Sequence, residues 1–195
     1  MNDVSDQEIY GRLSLWLSAV SECKKLLNLS KKSSETAIEI SQRYDGKVEL
    51  HHGFPSFVEC IQMTDYNKML AVIFFSQAFN TGNEDSGVAA RNTRRFIEEH
   101  LDNIIAEFVK TESEKEKFYE FKAEILTIRN QVVGHADAPA FKIKHEGEGF
   151  LTQKMHCASV RNIDIEYWIE IIEPLWSAIL KYMEKFQPTS AIQTI

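Results

Sequence analysis

Arg129, Asn130 and His135 stand in the run Ile128-Arg-Asn-Gln-Val-Val-Gly-His-Ala-Asp137. A guanidinium is always charged and presents a planar fork that matches phosphate oxygens. An imidazole titrates near neutrality and can take or give a proton. Arg129 and His135 together therefore suit charge stabilisation plus general acid–base work. Asn130 could orient an anionic oxygen or cap a helix end, and Asp137 could orient His135. A plainer reading stands beside this one. Arg129 could be an ion-pair partner of Glu120 or Glu124, and His135 could close a helix, where the dipole favours a cation.

Other chemistry-bearing residues give weaker patterns. Arg91-Asn-x-Arg94-Arg95 forms a basic patch that could touch RNA or a partner, or simply be a solvated helix face. Cys23, Cys60 and Cys157 are odd in number and widely separated, which suits free thiols in a reducing cytoplasm. His51-His52 followed by Cys60 lacks a fourth ligand and a recognised spacing, so no metal site is assigned. Trp16, Trp168 and Trp176 lie on apolar stripes and belong to a core or a dimer contact. There is neither a nucleophile elbow nor a Gly-rich phosphate loop.

The chain has 195 residues, enough for one domain with a substantial core. Its longest apolar run, residues 69–75, is far below the ~20 residues of a membrane helix. The start, Met1-Asn-Asp-Val-Ser-Asp6, is acidic and polar, unlike a signal peptide. The expectation is a cytoplasmic protein without membrane contact. Net charge is −7, which disfavours broad phosphate neutralisation but leaves room for a small positive cleft.

The elements that must position Arg129 and His135 read as helices. Ser5-x-x-Glu8 is a capping box opening a helix with the stripe Ile9, Leu13, Trp16, Leu17, Val20, Cys23, Leu27. Residues 33–42 suggest a second short helix, and Asp45-Gly46 a turn. Ser56-x-x-Glu59 opens a helix to Phe79, with a break near Asp65 and its most buried part at 69–79. A further helix carries Val88, Phe96, Leu101, Ile104, Ile105 and Phe108. Ser113-x-x-Glu116 is a third capping box, before the stripe Phe118, Phe121, Ile125, Ile128, Val132. Gly134 and Pro139 are stop signals. Residues 140–151 read as a small β-hairpin or a long excursion. The final helix starts near Asp164, and Pro174 inside it should kink or split it. The sum is an all-α antiparallel bundle of four to five main helices in one domain, residues 1–188. It has a β-hairpin-like insertion at about 140–160 and a frayed tail at 189–195.

Arg129-Asn130 followed four residues later by His135, at the end of an amphipathic helix, resembles the Arg-x(4–6)-His motif of the HEPN superfamily. The Gly134-His-Ala-Asp137 version with a hairpin-like excursion after it is most similar to its abortive-infection branch. The resemblance spans roughly residues 66–186 in helix order. It implies a homodimer and an endoribonuclease of a toxin or phage-defence type. In an ideal helix Arg129 and His135 lie about 120° apart, one on each edge of the 118–132 stripe. A two-fold dimer packing that face on its copy would gather two Arg and two His in one cleft. Arg129 would clamp the phosphate and His135 would move protons while the RNA 2′-hydroxyl attacks, with no metal or cofactor. An antitoxin or other defence protein would be a partner. The resemblance equally admits an inactive module that binds a protein, RNA or nucleotide. A Tyr two residues after the His, a modification target in some family members, is replaced here by Asp137.

Overall fold

The computed structural model describes residues 5–43, 57–79, 87–133, 143–145, 151–153, 160 and 162–187. The elements are α1 (Asp6–Arg43), α2 (Phe57–Phe79), α3 (Gly87–Ile105), α4 (Glu112–Val133), β1 (Ile143–His145), β2 (Leu151–Gln153) and α5 (Ile165–Met183). A 3-10 turn, Glu184–Phe186, follows α5. The three-residue strands pair antiparallel, with Ile143 opposite Gln153 and His145 opposite Leu151. The chain is all-α in class. The expected turn at Asp45-Gly46, the stops at Gly134 and Pro139, and the tail from 189 lie outside the described residues.

Ser5 caps α1: its Oγ accepts from the Glu8 backbone N–H at 3.3 Å. The Glu8 carboxylate bonds Arg12 at 2.7 Å, so the box forms in its Ser half. The separate helix expected at 33–42 is instead the last part of α1, which runs unbroken for 38 residues. No Gly or Pro interrupts residues 12–45, and the polar stretch in their middle is fastened from within. Ser30, fully buried, donates to the Thr64 carbonyl of α2 at 3.0 Å.

The break expected near Asp65 is likewise absent from α2. Its polar side chains bond back along the helix, Thr64 Oγ1 to the Cys60 carbonyl (2.9 Å) and Ser76 Oγ to the Val72 carbonyl (2.7 Å). Ala71, Val72, Phe75 and Phe79 are fully buried, whereas Leu70 is 40% exposed. The apolar 69–79 segment thus keeps one solvent side.

The cap of α4 sits two residues earlier than expected. Thr111 Oγ1 accepts from the Glu114 N–H (3.2 Å), and Glu114 Oε2 accepts from the N–H groups of Lys110 (2.8 Å) and Thr111 (3.1 Å). The reciprocal box is therefore Thr111-x-x-Glu114, and Ser113 lies inside the helix. Asp164 caps α5 through Oδ1, which accepts from Glu166 and Tyr167 N–H at 3.1 Å each. Pro174 does not split α5, which is one helix to Met183.

Buried residues from all five helices form one core cluster. A chain of aromatic contacts threads it: Trp16 on Phe79 (5.1 Å between centroids), Phe79 on Phe75 (4.8 Å), Phe75 on Phe121 (5.5 Å), Phe121 on Trp168 (5.2 Å). Trp16 and Trp168 are thus core residues, and Trp176 is partly buried under the Lys24 ammonium (5.6 Å). Cross-links give the helix directions. Trp16–Phe79 and Ser30–Thr64 make α1 and α2 antiparallel. Lys24–Glu173 and Lys31–Glu166, both 3.0 Å, make α1 and α5 antiparallel. Cys23 and Cys60 are buried free thiols, and burial pushes the Cys23 thiol up. Among the described residues no helix is long and apolar enough to cross a membrane.

Candidate functional site

The helix that ends in the Arg129 motif is held through an apolar stripe. Phe118, Phe121, Ile125 and Ile128 recur at helical spacing and are all buried, Ile125 completely. They face Phe75 of α2 and Trp168 of α5. This corrects the expectation that the stripe meets a second copy of the chain. It is core of its own bundle, and Ile128 is its last described member. The side chain of Val132 lies outside the described residues.

Arg129 follows Ile128 and turns to the half-buried edge of the stripe. Its Nη1 donates to Asn130 Oδ1 at 3.0 Å, so the exposed amide holds one arm of the guanidinium fork. Among the described residues Arg129 forms no ion pair with Glu120 or Glu124. Those two carboxylates act on Tyr167 of α5 instead. Burial raises the Tyr167 hydroxyl first, and Glu124 and Glu120 add to it. His135 and Asp137 lie outside the described residues. The structure therefore joins Arg129 to Asn130 and leaves the other two motif residues unplaced.

Phe118 and Glu114 share a cavity wall with Ile171 and Pro174, while Phe121 meets Tyr167 and Trp168, so α4 runs antiparallel to α5. The Arg129 end of α4 thus lies at the α5 N-terminus. Lys68, seven residues before Phe75 on α2, lies at the same end, about 10 Å along the helix from the aromatic chain. It is a functional candidate that the sequence reading passed over. Its side chain is buried at 6% exposure and Nζ donates to the Ile163 carbonyl at 3.0 Å. Burial pushes its pKa down, against the opposing pull of Asp65 and Asp164. A lysine at the edge of the uncharged run 69–79 was the available signal.

The basic patch does not join this end. Arg94 and Arg95 are exposed on α3, beside Phe96, which packs on Trp16 at 5.4 Å. Trp16 lies at the Phe79 end of α2, roughly 16 Å of helix rise from Lys68. Arg95 is also paired with Glu99 at 2.5 Å. The Arg91 side chain lies outside the described residues.

The flank of α4 and α5 next to Arg129 is acidic. Glu120, Glu124, Glu166 and Glu170 are exposed along it, with Glu166 paired to Lys31 of α1 at 3.0 Å, whereas Glu114 caps the opposite end of α4. On the other side of α4, Tyr119 donates to Asp102, and Lys115 lies 3.4 Å from that carboxylate. The Tyr119 bond, more than the lysine, holds Asp102 below the usual carboxylate range. This cluster ties α4 to α3. Among the described residues no group of three His, Cys, Asp or Glu could hold a metal ion. His51, His52 and Cys157 lie outside them.

No protein-family model matches the chain, and neither a curated protein nor a solved structure is similar to it.

Proposed function

We propose that the chain is an endoribonuclease of the HEPN type, acting without a metal in a toxin or defence role. The observation that carries this reading is the Arg129–Asn130 pair at the end of α4. Its guanidinium is preset by the Asn130 amide, and neither Glu120 nor Glu124 claims it. An arginine at a helix end with no carboxylate partner among the described residues is available to a phosphate. In the reaction the RNA 2′-oxygen attacks the adjacent phosphorus and the bond to the 5′-oxygen breaks. The 2′-hydroxyl proton passes to a base and the 5′-oxygen takes a proton from an acid. His135 serves as one of these, and Arg129 stabilises the charge that builds on the phosphoryl oxygens. The products are a 2′,3′-cyclic phosphate and a 5′-hydroxyl. DNA, lacking the 2′-hydroxyl, survives. Pairing of two copies has to use a surface other than the 118–128 stripe, which is already core.

The test is incubation of the purified protein with tRNA, mRNA and rRNA in EDTA, beside Arg129→Ala and His135→Ala. Cleavage that falls by about 10²-fold or more in each folded variant supports the reading. Absence of cleavage on all three RNAs, or cleavage unchanged in both variants, overturns it.

A second reading, a silent HEPN module that binds a protein partner, is favoured by the acidic α4–α5 flank. The exposed carboxylates of Glu120 and Glu124, on the α4 turns that precede Arg129, oppose a phosphate backbone and suit a cationic surface. Expression harm to the host that His135→Ala relieves favours the nuclease, and harmless expression favours the module.

A further inference from the structure

A cavity of about 300 Å³ opens between the start of α4 and the middle of α5. Its floor is Phe108, Phe118, Ile171 and Pro174, and Glu114, Lys117, Tyr167 and Glu170 form the polar part of its lining. Phe118 is buried and its ring meets Phe108 at 5.9 Å, so the floor is built into the core.

Two features of the lining accept hydrogen bonds. Pro174 has no N–H, so the Glu170 carbonyl lacks the donor that an α-helix normally supplies four residues on. Glu170 and Pro174 both line the cavity, so the helix turn that carries this carbonyl borders it. The second is Glu114. Its Oε2 is fixed by the Lys110 and Thr111 N–H groups, whose pull keeps the carboxylate ionised below its usual range. Lys117 offsets one of the two carboxylates, leaving the lining net acidic.

We propose that this cavity docks a peptide segment of a partner protein that presents an Arg or Lys beside an apolar side chain. The apolar side chain fills the Phe108–Phe118 floor. The cation donates to the Glu170 carbonyl and to the carboxylates of Glu114 and Glu170. Charge selects this occupant: the chain carries −7, and Glu120 and Glu124 extend the acidic flank beyond Tyr167. A phosphate-bearing ligand would meet the same carboxylates and be repelled. The inference stands apart from RNA cleavage, since it uses neither Arg129 nor His135.

Pro174 gives the test two readouts of opposite sign. Pro174→Ala restores a helix hydrogen bond and should raise Tm, while it removes the spare acceptor and should weaken binding. Glu170→Lys, at an exposed position, should leave Tm unchanged and weaken binding by about ten-fold or more. The probe is acetyl-Leu-Arg-Leu-amide, titrated into the ¹⁵N-labelled full chain, with acetyl-Leu-Glu-Leu-amide as control. Saturable shifts at Phe118, Tyr167 and Ile171 with the Arg peptide alone, reduced in both variants, support the site. No saturable shift, equal shifts with the Glu peptide, or variants that bind as the parent does, overturn it.

Discussion

Lys68 and Ile163 stand 95 residues apart and are joined by one hydrogen bond, from the lysine Nζ to the isoleucine carbonyl at 3.0 Å. Ile163 directly precedes Asp164, the cap of α5. The bond therefore fixes where α5 begins relative to α2, at the bundle end that carries Arg129. A buried ammonium costs solvation, so this contact is maintained against a penalty.

Lys68→Met keeps the aliphatic stem and leaves the Ile163 carbonyl without this donor. Loss of a buried partner costs about 1–3 kcal/mol, partly offset by removal of the desolvated charge. The expected result is a lower unfolding midpoint in urea. Faster amide exchange in the first turn of α5, at Glu166–Trp168, should accompany it. Unchanged stability and unchanged exchange would refute the role assigned to this bond.

Thr111→Ala removes the side-chain acceptor at the start of α4. A lost cap costs about 1 kcal/mol, or roughly 2–4 °C in Tm for a chain of this size. Ser113→Ala is the contrast, because Ser113 lies inside the helix and Ala is the better helix former there. It should be neutral or slightly stabilising. The opposite order of the two melting temperatures would place the cap at Ser113 after all.

His100 on α3 contacts Phe96 (4.3 Å between centroids) and its Nδ1 lies 3.1 Å from the Tyr182 hydroxyl. Burial lowers its pKa, Arg12 lowers it further, and Glu99 opposes both. The fold thus favours the neutral ring. As pH falls below the ordinary value of about 6.5, the unfolded chain takes the proton first and stability drops. His100→Gln cannot titrate, so the parent should lose stability relative to it between about pH 7 and 5. Parallel stability curves across that range would contradict the assignment.

Much of the fold was legible because its signals are local. The cap at Ser5, the cap at Asp164 and the apolar stripes each depend on residues within a turn or two of one another. The errors share a cause. Polar stretches at 33–42 and at Asp65 look like breaks when read alone. Ser30 and Thr64 satisfy each other across α1 and α2, and that contact is invisible along the chain. Thr111 and Ser113 compete for one cap, and the two boxes, each with a Glu three residues on, read alike in sequence. Pro174 is tolerated because α5 is held by buried side chains on either side of it, among them Ile172, Leu175 and Ile179.

The sequence by itself determined the all-α class, the helical stripe from Phe118 to Ile128 and the adjacency of Arg129 and Asn130. Periodicity and side-chain chemistry are properties of the chain alone. Only the tertiary structure decided what that stripe packs against. An amphipathic helix buries its apolar face on whichever surface is nearest. Here Phe75 and Trp168 of the same chain supply it, so the face is closed to a partner. The same folding buried Lys68, moved Arg94 and Arg95 to the far end of the bundle, and lined the α4–α5 flank with carboxylates. Those arrangements depend on which helices become neighbours, and long-range packing sets that.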